Sequence, residues 1–426
     1  MIGHDKPPHR EGVPVFEIND QPTAPPMSQF TIFRSLSNTF QWLTASLFAL
    51  LLLAATAVPA QAQMEDGELP EIDFSVNLMQ SAQVLSVDGL DNTASGFHAA
   101  RAGLNANVQF SENVSGLLML ESEPNDFGSA SGASQFQPQV DFMVMNLQVS
   151  EGLTVQAGTP VTGLLNFRGF SDGPNVQGNP LIGNSPADNI TAGEGVKLIG
   201  SFDEFGFDFT VNRGFGETVS NPEGGGTGLN YIGKVRYTGS EDEIFQVGAG
   251  AAIQSGTQGI VFASGDGENY YLNLPVDQPD GSVGRSAISA RNTHAALPDG
   301  GVIAQADAKI TPDPLDIDLW GGFANESDVN GTDTDAQAVF GGIGAKVNVS
   351  ENFYLAGRFT VVNDQEAPDG ADANLTRFQG GFGWMIFDRA LLKVEGVTQS
   401  HGDTGVTRPA PADSFGGVLT ELSFNF

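Results

Sequence analysis

Apolar and polar residues alternate with a period of two along much of the chain. In residues 72–84 the even positions are mostly apolar and the odd positions mostly polar, as the run Ile72-Asp73-Phe74-Ser75-Val76 shows. Because successive side chains of a strand point to opposite faces, the pattern predicts strands with one apolar and one polar face. Sixteen segments have this pattern, at residues 72–84, 97–110, 114–121, 140–149, 153–158, 195–202, 206–213, 229–237, 244–253, 302–310, 315–323, 337–349, 353–361, 375–387, 391–398 and 414–426.

The connections between these segments alternate between tight turns and longer loops. Seven are tight, at residues 111–113, 150–152, 203–206, 240–242, 311–314, 350–352 and 388–390. The other eight are longer and rich in Gly, Asp, Asn and Pro, and the largest are residues 159–194 and about 254–301. Seven tight turns are what sixteen up-and-down strands need if both termini lie at one end. Short turns at one end and long loops at the other indicate a transmembrane barrel, in which closure removes every unpaired edge.

The predicted fold is therefore all-β, a transmembrane antiparallel up-and-down barrel of about sixteen strands. A secreted soluble sandwich, propeller or β-helix would also show alternation, but the C-terminal segment argues against these folds. Leu422, Phe424 and Phe426 share one face, and the sequence stops on that phenylalanine. This ending resembles the assembly signal that the outer-membrane barrel assembly machinery recognises.

The longest apolar run, residues 43–58, indicates export. Arg34 precedes this run, and Pro59 and the small-x-small triplet 60–62 follow it, which is the order of a secretory signal peptide. A transmembrane anchor is the alternative, but the run is shorter than the roughly 20 residues that a spanning helix needs.

The polar, proline-containing segment before Met27 does not fit the start of such a signal, whereas Met27 begins a plausible one. We therefore expect three parts: residues 1–26 upstream of the true start, residues 27–62 as the signal peptide, cleaved near Ala62/Gln63, and residues 63–426 as the barrel.

Composition narrows the class of function. The chain has no cysteine, so disulfides and thiolate metal sites are excluded. Its formal net charge is −33, which makes nucleic acid an unsuitable partner. Such an acidic excess fits either a high-salt habitat, where screening removes self-repulsion, or an ordinary acidic surface.

Across nearly the whole of residues 63–426 the sequence resembles the sixteen-stranded porins of Gram-negative outer membranes. The resemblance rests on the signal, the Ser-Glu-Asn and Ser-Glu-Gly turns, the amphipathic strands, the long third outer loop and Phe426. Residues 153–165 are similar to the strand that enters the third loop of phosphate-selective-type porins. The resemblance implies a homotrimer in which the third loop, residues 159–194, folds into the lumen and narrows it. An outward-pointing surface loop is the alternative.

Strand parity separates lumen-facing from lipid-facing charges, because a basic side chain facing hydrocarbon at mid-membrane costs about 2–4 kcal/mol. Parity places these basic residues inward: Arg101, Lys197, Lys234, Arg236, Lys309, Lys346, Arg358, Arg377 and Lys393. It places these acidic residues inward: Asp73, Glu121, Asp208, Asp307, Asp316, Asp318, Glu395 and Glu421. The two sets nearly cancel, so the acidic excess lies mainly in loops, turns and termini.

Some of these charges are candidates for solute selectivity. We expect a basic strip on the pore wall, formed by Arg101, Lys234, Arg236, Arg358 and Arg377. The constriction loop offers Asp172, Asp188 and Glu194 to face this strip, and Arg168 either to tether the loop to the wall or to enter the strip. Opposed charges in a narrow passage sort hydrated solutes. The alternative is that the wall charges pair with one another and only solvate the lumen.

No enzyme, cofactor or metal site is expected. The three histidines of residues 63–426 lie near predicted outer ends or in outer loops, and no serine spacing suggests a barrel lipase. Residues 326–335 space oxygen ligands like a calcium loop but lack its terminal glutamate.

We expect a passive porin for small hydrophilic solutes or ions, exported to the outer membrane. Its expected partners are membrane lipid and lipopolysaccharide, the barrel assembly machinery and further copies of the chain. A loop-capped barrel that acts as an adhesin or receptor is the alternative, and a barrel enzyme is the third.

Overall fold

A computed structural model describes the following residues of the chain: 70–87, 93–122, 139–161, 163–167, 177–182, 194–213, 229–239, 244–255, 272–277, 283–288, 302–326, 336–366, 374–401 and 414–426. The expected signal peptide and the segment before it lie outside the described residues.

The described residues form eighteen strands. In chain order these are β1 (Glu71–Val87), β2 (Thr93–Ser111), β3 (Val114–Ser122), β4 (Gln139–Ser150), β5 (Leu153–Gly158), β6 (Gly195–Phe202), β7 (Phe205–Arg213), β8 (Leu229–Tyr237), β9 (Phe245–Ser255), β10 (Leu272–Asp277), β11 (Val283–Ile288), β12 (Val302–Ile310), β13 (Leu315–Glu326), β14 (Ala336–Ser350), β15 (Phe353–Glu366), β16 (Asn374–Phe387), β17 (Ala390–His401) and β18 (Ser414–Asn425). Among the described residues there is no helix long and apolar enough to cross a membrane.

Sixteen of these strands close into one antiparallel barrel, in which each strand pairs with the barrel strands before and after it in sequence, so that β9 pairs with β12. The first and last strands meet at a seam, where β18 pairs with β1 from Asn77↔Asn425 to Val87↔Phe415. Two further backbone hydrogen bonds extend the seam: Val76 N donates to Phe426 O at 3.1 Å, and Phe426 N donates to Val76 O at 2.9 Å. The barrel therefore has no unpaired edge at the junction of its two ends.

Side-chain burial follows the alternation in the sequence. On β1 the polar side chains of Asn77 and Ser81 are buried, whereas Leu78 and Val84 on the opposite face are exposed. Most of the other barrel strands repeat this pattern, with large exposed apolar side chains outside and buried polar side chains inside. The structure thus has a polar interior and an apolar outer surface, as the period of two predicts.

Tight turns lie at one end of the barrel, called here the turn end, and the long connections lie at the other, the loop end. The turns after β2, β4, β14 and β16 each use two residues, as does the turn after β6. In that turn Asp203 adopts a φ of 48°, a left-handed conformation that aspartate tolerates better than most residues. The alternation of short turns and long loops agrees with the prediction from sequence.

The predicted all-β barrel and its sixteen strands are confirmed. Within the connection of residues 254–301, however, the structure contains a separate two-stranded sheet, β10 and β11, which the sequence pattern did not indicate. Both strands have only six residues and β10 contains Pro275, which is uncommon inside strands, so their signal is weak.

Candidate functional site: the barrel interior and the third loop

Most of the charges that parity placed inward are buried in the structure. These are Arg101, Glu121, Lys197, Asp208, Lys234, Asp307, Asp318, Arg358, Arg377, Lys393, Glu395 and Glu421. The side chains of Arg236, Asp316 and Lys346 are partly exposed, as is Lys309, and Asp73 is exposed near the turn end of β1. The interior wall is therefore lined by acidic and basic side chains, which the structure brings together in distinct groups.

The first group surrounds Asp208, which β7 presents to the interior between β6 and β8. Lys197 Nζ lies 3.2 Å from Asp208 Oδ2, and Lys234 Nζ lies 3.4 Å from the same oxygen. Arg236 donates from its NH1 to Asp208 Oδ1 at 2.8 Å. One carboxylate thus balances three cations, so this group carries excess positive charge.

The second group spans β16, β17 and β18. Lys393 and Glu421 form an ion pair with 2.8 Å between Nζ and Oε1, and both side chains are 2% exposed. On neighbouring strands Gln379 donates to Glu395 Oε1 at 3.0 Å, and Arg377 Nε donates to Gln399 Oε1 at 2.7 Å. A separate pair, Arg101 and Glu121 at 2.9 Å, joins β2 to β3. Such pairing compensates the cost of taking each charge out of bulk water.

The third loop, residues 159–194, bonds to this wall at two places. At the first, Asp307 on β12 accepts three hydrogen bonds from the loop: from Asn166 N at 3.0 Å, from Asn166 Nδ2 at 2.7 Å and from Phe167 N at 3.1 Å. The Asn166 side chain lies over Gly248 of β9, where any side chain would overlap it. We call this contact the Asp307 anchor.

Two lysines of the Asp208 group also bind the loop near the Asp307 anchor. Lys197 Nζ donates to Val161 O at 3.0 Å, and Lys234 Nζ donates to Leu165 O at 3.3 Å. The loop's apolar residues are buried as well, since Leu164 and Leu165 join a cluster with wall residues. The other members of that cluster are Ile232, Ala252, Ile303, Trp320, Ala324 and Phe340. Charged and apolar contacts therefore hold the same stretch of loop.

At the second place, residues 177–182 bind β15, β17 and β18. Lys393 Nζ donates to Leu181 O at 3.3 Å, and Glu395 Oε2 accepts from Ile182 N at 2.7 Å. Leu181 O and Ile182 N belong to one peptide group. The carbonyl oxygen of this group is therefore bound by a lysine, and its N–H by a glutamate two residues farther along β17. We call this contact the β17 clamp.

Further bonds surround the β17 clamp. Arg358 NH2 and Leu181 N both donate to Asn179 Oδ1 at 3.1 Å. Tyr354 OH donates to Pro180 O at 3.1 Å, and its ring occupies the space that a side chain on Gly383 would need. Gln177 Nε2 donates to Ser423 O at 3.2 Å and to Arg389 O at 3.1 Å.

The wall partners of this second stretch lie in the turn half of the barrel. Arg389 is in the turn that joins β16 to β17, and Tyr354 is the second residue of β15 after its turn. Glu395 is the sixth of twelve residues in β17, counted from the turn end. The third loop starts at the loop end of β5. Residues 177–182 therefore lie closer to the turn end of the barrel than the start of the loop does.

The five residues of the expected basic strip lie in separate parts of the wall. Lys234 and Arg236 meet at Asp208, Arg358 and Arg377 lie on the adjacent strands β15 and β16, and Arg101 lies on β2. Most of them have partners on the wall or the loop. Of the expected loop charges, Arg168, Asp172 and Asp188 lie outside the described residues. Glu194 is exposed just before β6.

Strand parity placed Asp307, Lys393 and Glu395 inward. It did not predict that these three side chains hold the third loop. Asn179 and Tyr354 were missed entirely. Their roles depend on contacts between residues far apart in sequence, which parity alone does not reveal.

Within the described part of the chain, no group of three or more histidine and carboxylate side chains is arranged to hold a metal ion. Most of the calcium-like segment, residues 327–335, lies outside that part. The terminal residues of the expected assembly signal are arranged on the outer surface. Phe426 is 56% exposed there, and its ring stacks near that of Phe424, with 6.3 Å between centroids.

No protein-family model matches the sequence, and no curated protein matches it significantly. Solved structures do share the fold. OmpT, an outer membrane protein of Vibrio cholerae solved in a trimer form, is similar with a TM-score of 0.55 at 13% identity, covering 84% of this chain and 100% of that one. An anion-selective porin from Comamonas acidovorans gives the same four values. The outer membrane channel DcaP of Acinetobacter baumannii gives a TM-score of 0.56 at 9% identity, covering 84% of this chain and 97% of that one. The chain therefore shares the sixteen-stranded barrel fold of outer-membrane channels.

Proposed function

We propose that the protein is a porin, a passive diffusion channel through which small hydrophilic solutes or ions cross the outer membrane. The observation that carries this proposal is a closed barrel whose charged, polar interior binds its own third loop at the Asp307 anchor and the β17 clamp. A loop held inside the wall narrows a channel without any chemical step, and the solved barrels with the same fold include a porin and a channel.

The two anchoring places support a constriction of the lumen by the third loop. The Asp307 anchor lies on β12 and the β17 clamp lies several strands away around the barrel, so the loop is held from two sides. The positive Asp208 group lies beside the first of them. A passage bounded by fixed charges and a fixed loop selects solutes by size and charge.

The expected basic strip acts in this proposal as two positive regions. One contains Lys234 and Arg236 with Lys197, and the other contains Arg358 and Arg377. Asp172, Asp188 and Glu194 of the third loop are proposed to face them, and Arg168 either to tether the loop to the wall or to join one of them. This charge arrangement does not test the similarity of residues 153–165 to phosphate-selective-type porins, so that similarity stays a prediction.

Location and assembly complete the proposal. The exposed apolar outer surface suits membrane lipid, with lipopolysaccharide at the loop end, and residues 27–62 are proposed as a cleavable signal peptide. Leu422, Phe424 and Phe426 are proposed to be recognised by the barrel assembly machinery. We propose a homotrimer, in keeping with the trimer form of the similar OmpT barrel.

Planar-bilayer recording of the refolded residues 63–426 under a salt gradient tests the function. Stable conductance steps are expected, and the sign of the reversal potential will show whether the basic wall or the acidic loops set ion preference. Absence of steps from a barrel that is folded by circular dichroism and heat-modified gel migration would refute the channel. It would favour a loop-capped receptor or adhesin.

A further inference from the structure

A strip of uncharged polar side chains crosses the inner wall from β1 to β5. Gln156 Nε2 on β5 donates to Asn146 Oδ1 on β4 at 2.8 Å, and Asn146 Nδ2 donates to Ser115 Oγ on β3 at 3.1 Å. A matching pair lies on the two preceding strands, where Asn105 Nδ2 on β2 donates to Ser75 Oγ on β1 at 3.2 Å. We call these five residues the amide strip. Neighbouring strands are joined here by neutral hydrogen bonds between side chains.

The amide strip faces the lumen. Met145, the neighbour of Asn146 on β4, is 56% exposed on the outer surface, so Asn146 points inward. Gln156 is paired with Asn146 on one side and with Lys197 on the other, and directly paired side chains share one face of the sheet. Ser115, Asn146 and Gln156 are half-buried, whereas Lys197 is buried. The neutral groups are therefore more open to the lumen than the adjacent charge.

The charges nearest the amide strip are bound to other charges. Lys197, on the strand beside Gln156, lies 3.2 Å from Asp208. Arg101 Nε and Glu121 Oε1, on β2 and β3, lie 2.9 Å apart. All four charged side chains are buried. A solute that lies against the strip therefore meets neutral polar groups before charged ones.

The hydrogen bonds within the strip leave both donors and acceptors for a solute. A carboxamide has two N–H donors and an oxygen with two lone pairs, and a serine hydroxyl both donates and accepts. The chain uses one N–H of Gln156 and one of Asn146, and it ends on the oxygen of Ser115. A hydroxyl group, which also donates and accepts, matches such a surface better than a carboxylate, which only accepts, or an ammonium, which only donates.

We propose that the amide strip is a binding subsite for uncharged polyhydroxylated solutes, the class of small sugars. It lies in the turn half of the barrel, because Ser115 is the second of nine residues in β3, counted from the turn end. Residues 177–182 of the third loop are held in the same half by β15, β17 and β18. The loop and the strip thus belong to the same half of the lumen. The inference rests on the proposed function, for which it names the solute class.

Block of the ion current by sucrose tests the subsite. In planar bilayers sucrose should lower the wild-type single-channel current saturably, because a bound sugar obstructs the ions. Gln156→Leu should raise the half-blocking sucrose concentration about fivefold or more, since it removes the donor and the acceptor at one end of the strip. Ser115→Ala, a smaller change, should shift it in the same direction. The matched control, Asn348→Leu, removes an exposed inward carboxamide from β14, eight strands from β4 in the barrel order, and should not shift it.

Charged sugar derivatives test the solute class. Glucuronate and glucosamine match glucose in size, and both should block the current less than glucose does. If glucuronate blocks at a lower concentration than glucose, the cations around Asp208 bind the solute and the proposal fails. Absence of sucrose block from a conducting barrel, or equal shifts in Gln156→Leu and Asn348→Leu, would also overturn it.

Saturation-transfer NMR of sucrose with the barrel in detergent separates failure of this proposal from failure of the proposed function. Conductance steps without sugar binding would refute the subsite and keep the channel. Binding that Gln156→Leu weakens and Asn348→Leu does not, in a folded barrel without conductance, would refute the channel and keep the subsite.

Discussion

The β17 clamp makes a sharp prediction for Glu395→Gln. Glu395 is 1% exposed and accepts two hydrogen bonds, from Ile182 N at 2.7 Å and from Gln379 Nε2 at 3.0 Å. Glutamine keeps one acceptor oxygen but replaces the other with an NH2 group, which then faces a donor. The variant therefore loses one charge-assisted bond and leaves a donor without its acceptor.

The size of the effect follows from that loss. Removing one partner of a buried hydrogen bond to a charged group costs about 2–3 kcal/mol. This free energy corresponds to a change of about 30- to 150-fold in the equilibrium between bound and released loop. Lys393 still holds Leu181 O, so the loop is loosened at this place without losing every contact.

Single-channel recording of the Glu395→Gln variant in planar bilayers is the assay. We expect a second conductance level whose share of the recording time rises by about 30-fold or more over the wild type. The matched control is Glu121→Gln, which removes a similarly buried carboxylate, 2% exposed, that pairs with Arg101 on β2. If both variants change the dwell times equally, the effect comes from lumen charge and the clamp reasoning is wrong. It is also wrong if Glu395→Gln records like the wild type.

Three further changes test other parts of the structure. Asp208→Asn removes the carboxylate that three cations share, so the free energy of unfolding in detergent should fall by about 2–3 kcal/mol and the reversal potential should move toward anions. Thr210→Ala, on the same strand and face, should do neither. Asp307→Ala removes the acceptor of three loop bonds, and limited proteolysis should then cut residues 159–194 several-fold faster; an unchanged rate would contradict the anchor. Phe426→Ala should lower the yield of assembled barrel in cells several-fold while the refolded barrel keeps its heat-modified migration, and equal yields would contradict the assembly signal.

Strand parity was sufficient to predict the barrel and the inward face of its charges. Lys393 and Glu395, for example, are two residues apart, and that spacing alone places both on one face of β17. The alternation of side chains between the two faces of a strand is a local property of the backbone. It is therefore visible in the sequence wherever the outer face must be apolar. The weak signal of β10 and β11 shows the limit of this rule, because six residues with a proline give too little alternation.

The partners of those inward charges were beyond the reach of the sequence. Lys393 binds an oxygen 212 residues earlier, and Glu395 binds a nitrogen 213 residues earlier. Parity fixes the face of a side chain but neither its height relative to other strands nor the path of a long loop. The three cations around Asp208 show the same limit, because their grouping depends on the registers of β6, β7 and β8.

The seam between β1 and β18 has a consequence for the kinetics of folding. It joins residues such as Ala82 and Thr420, which are separated by 338 positions in the sequence. Closing a loop of that length costs about 3 kcal/mol more in chain entropy than closing a ten-residue hairpin. Until the ring is complete, the first and last strands each expose a row of unpaired backbone groups, so the unclosed chain is the state most prone to aggregate. The slowest step in forming this barrel should therefore be the meeting of its two ends, and a catalyst that holds the ends together would accelerate folding more than one that stabilises any single hairpin.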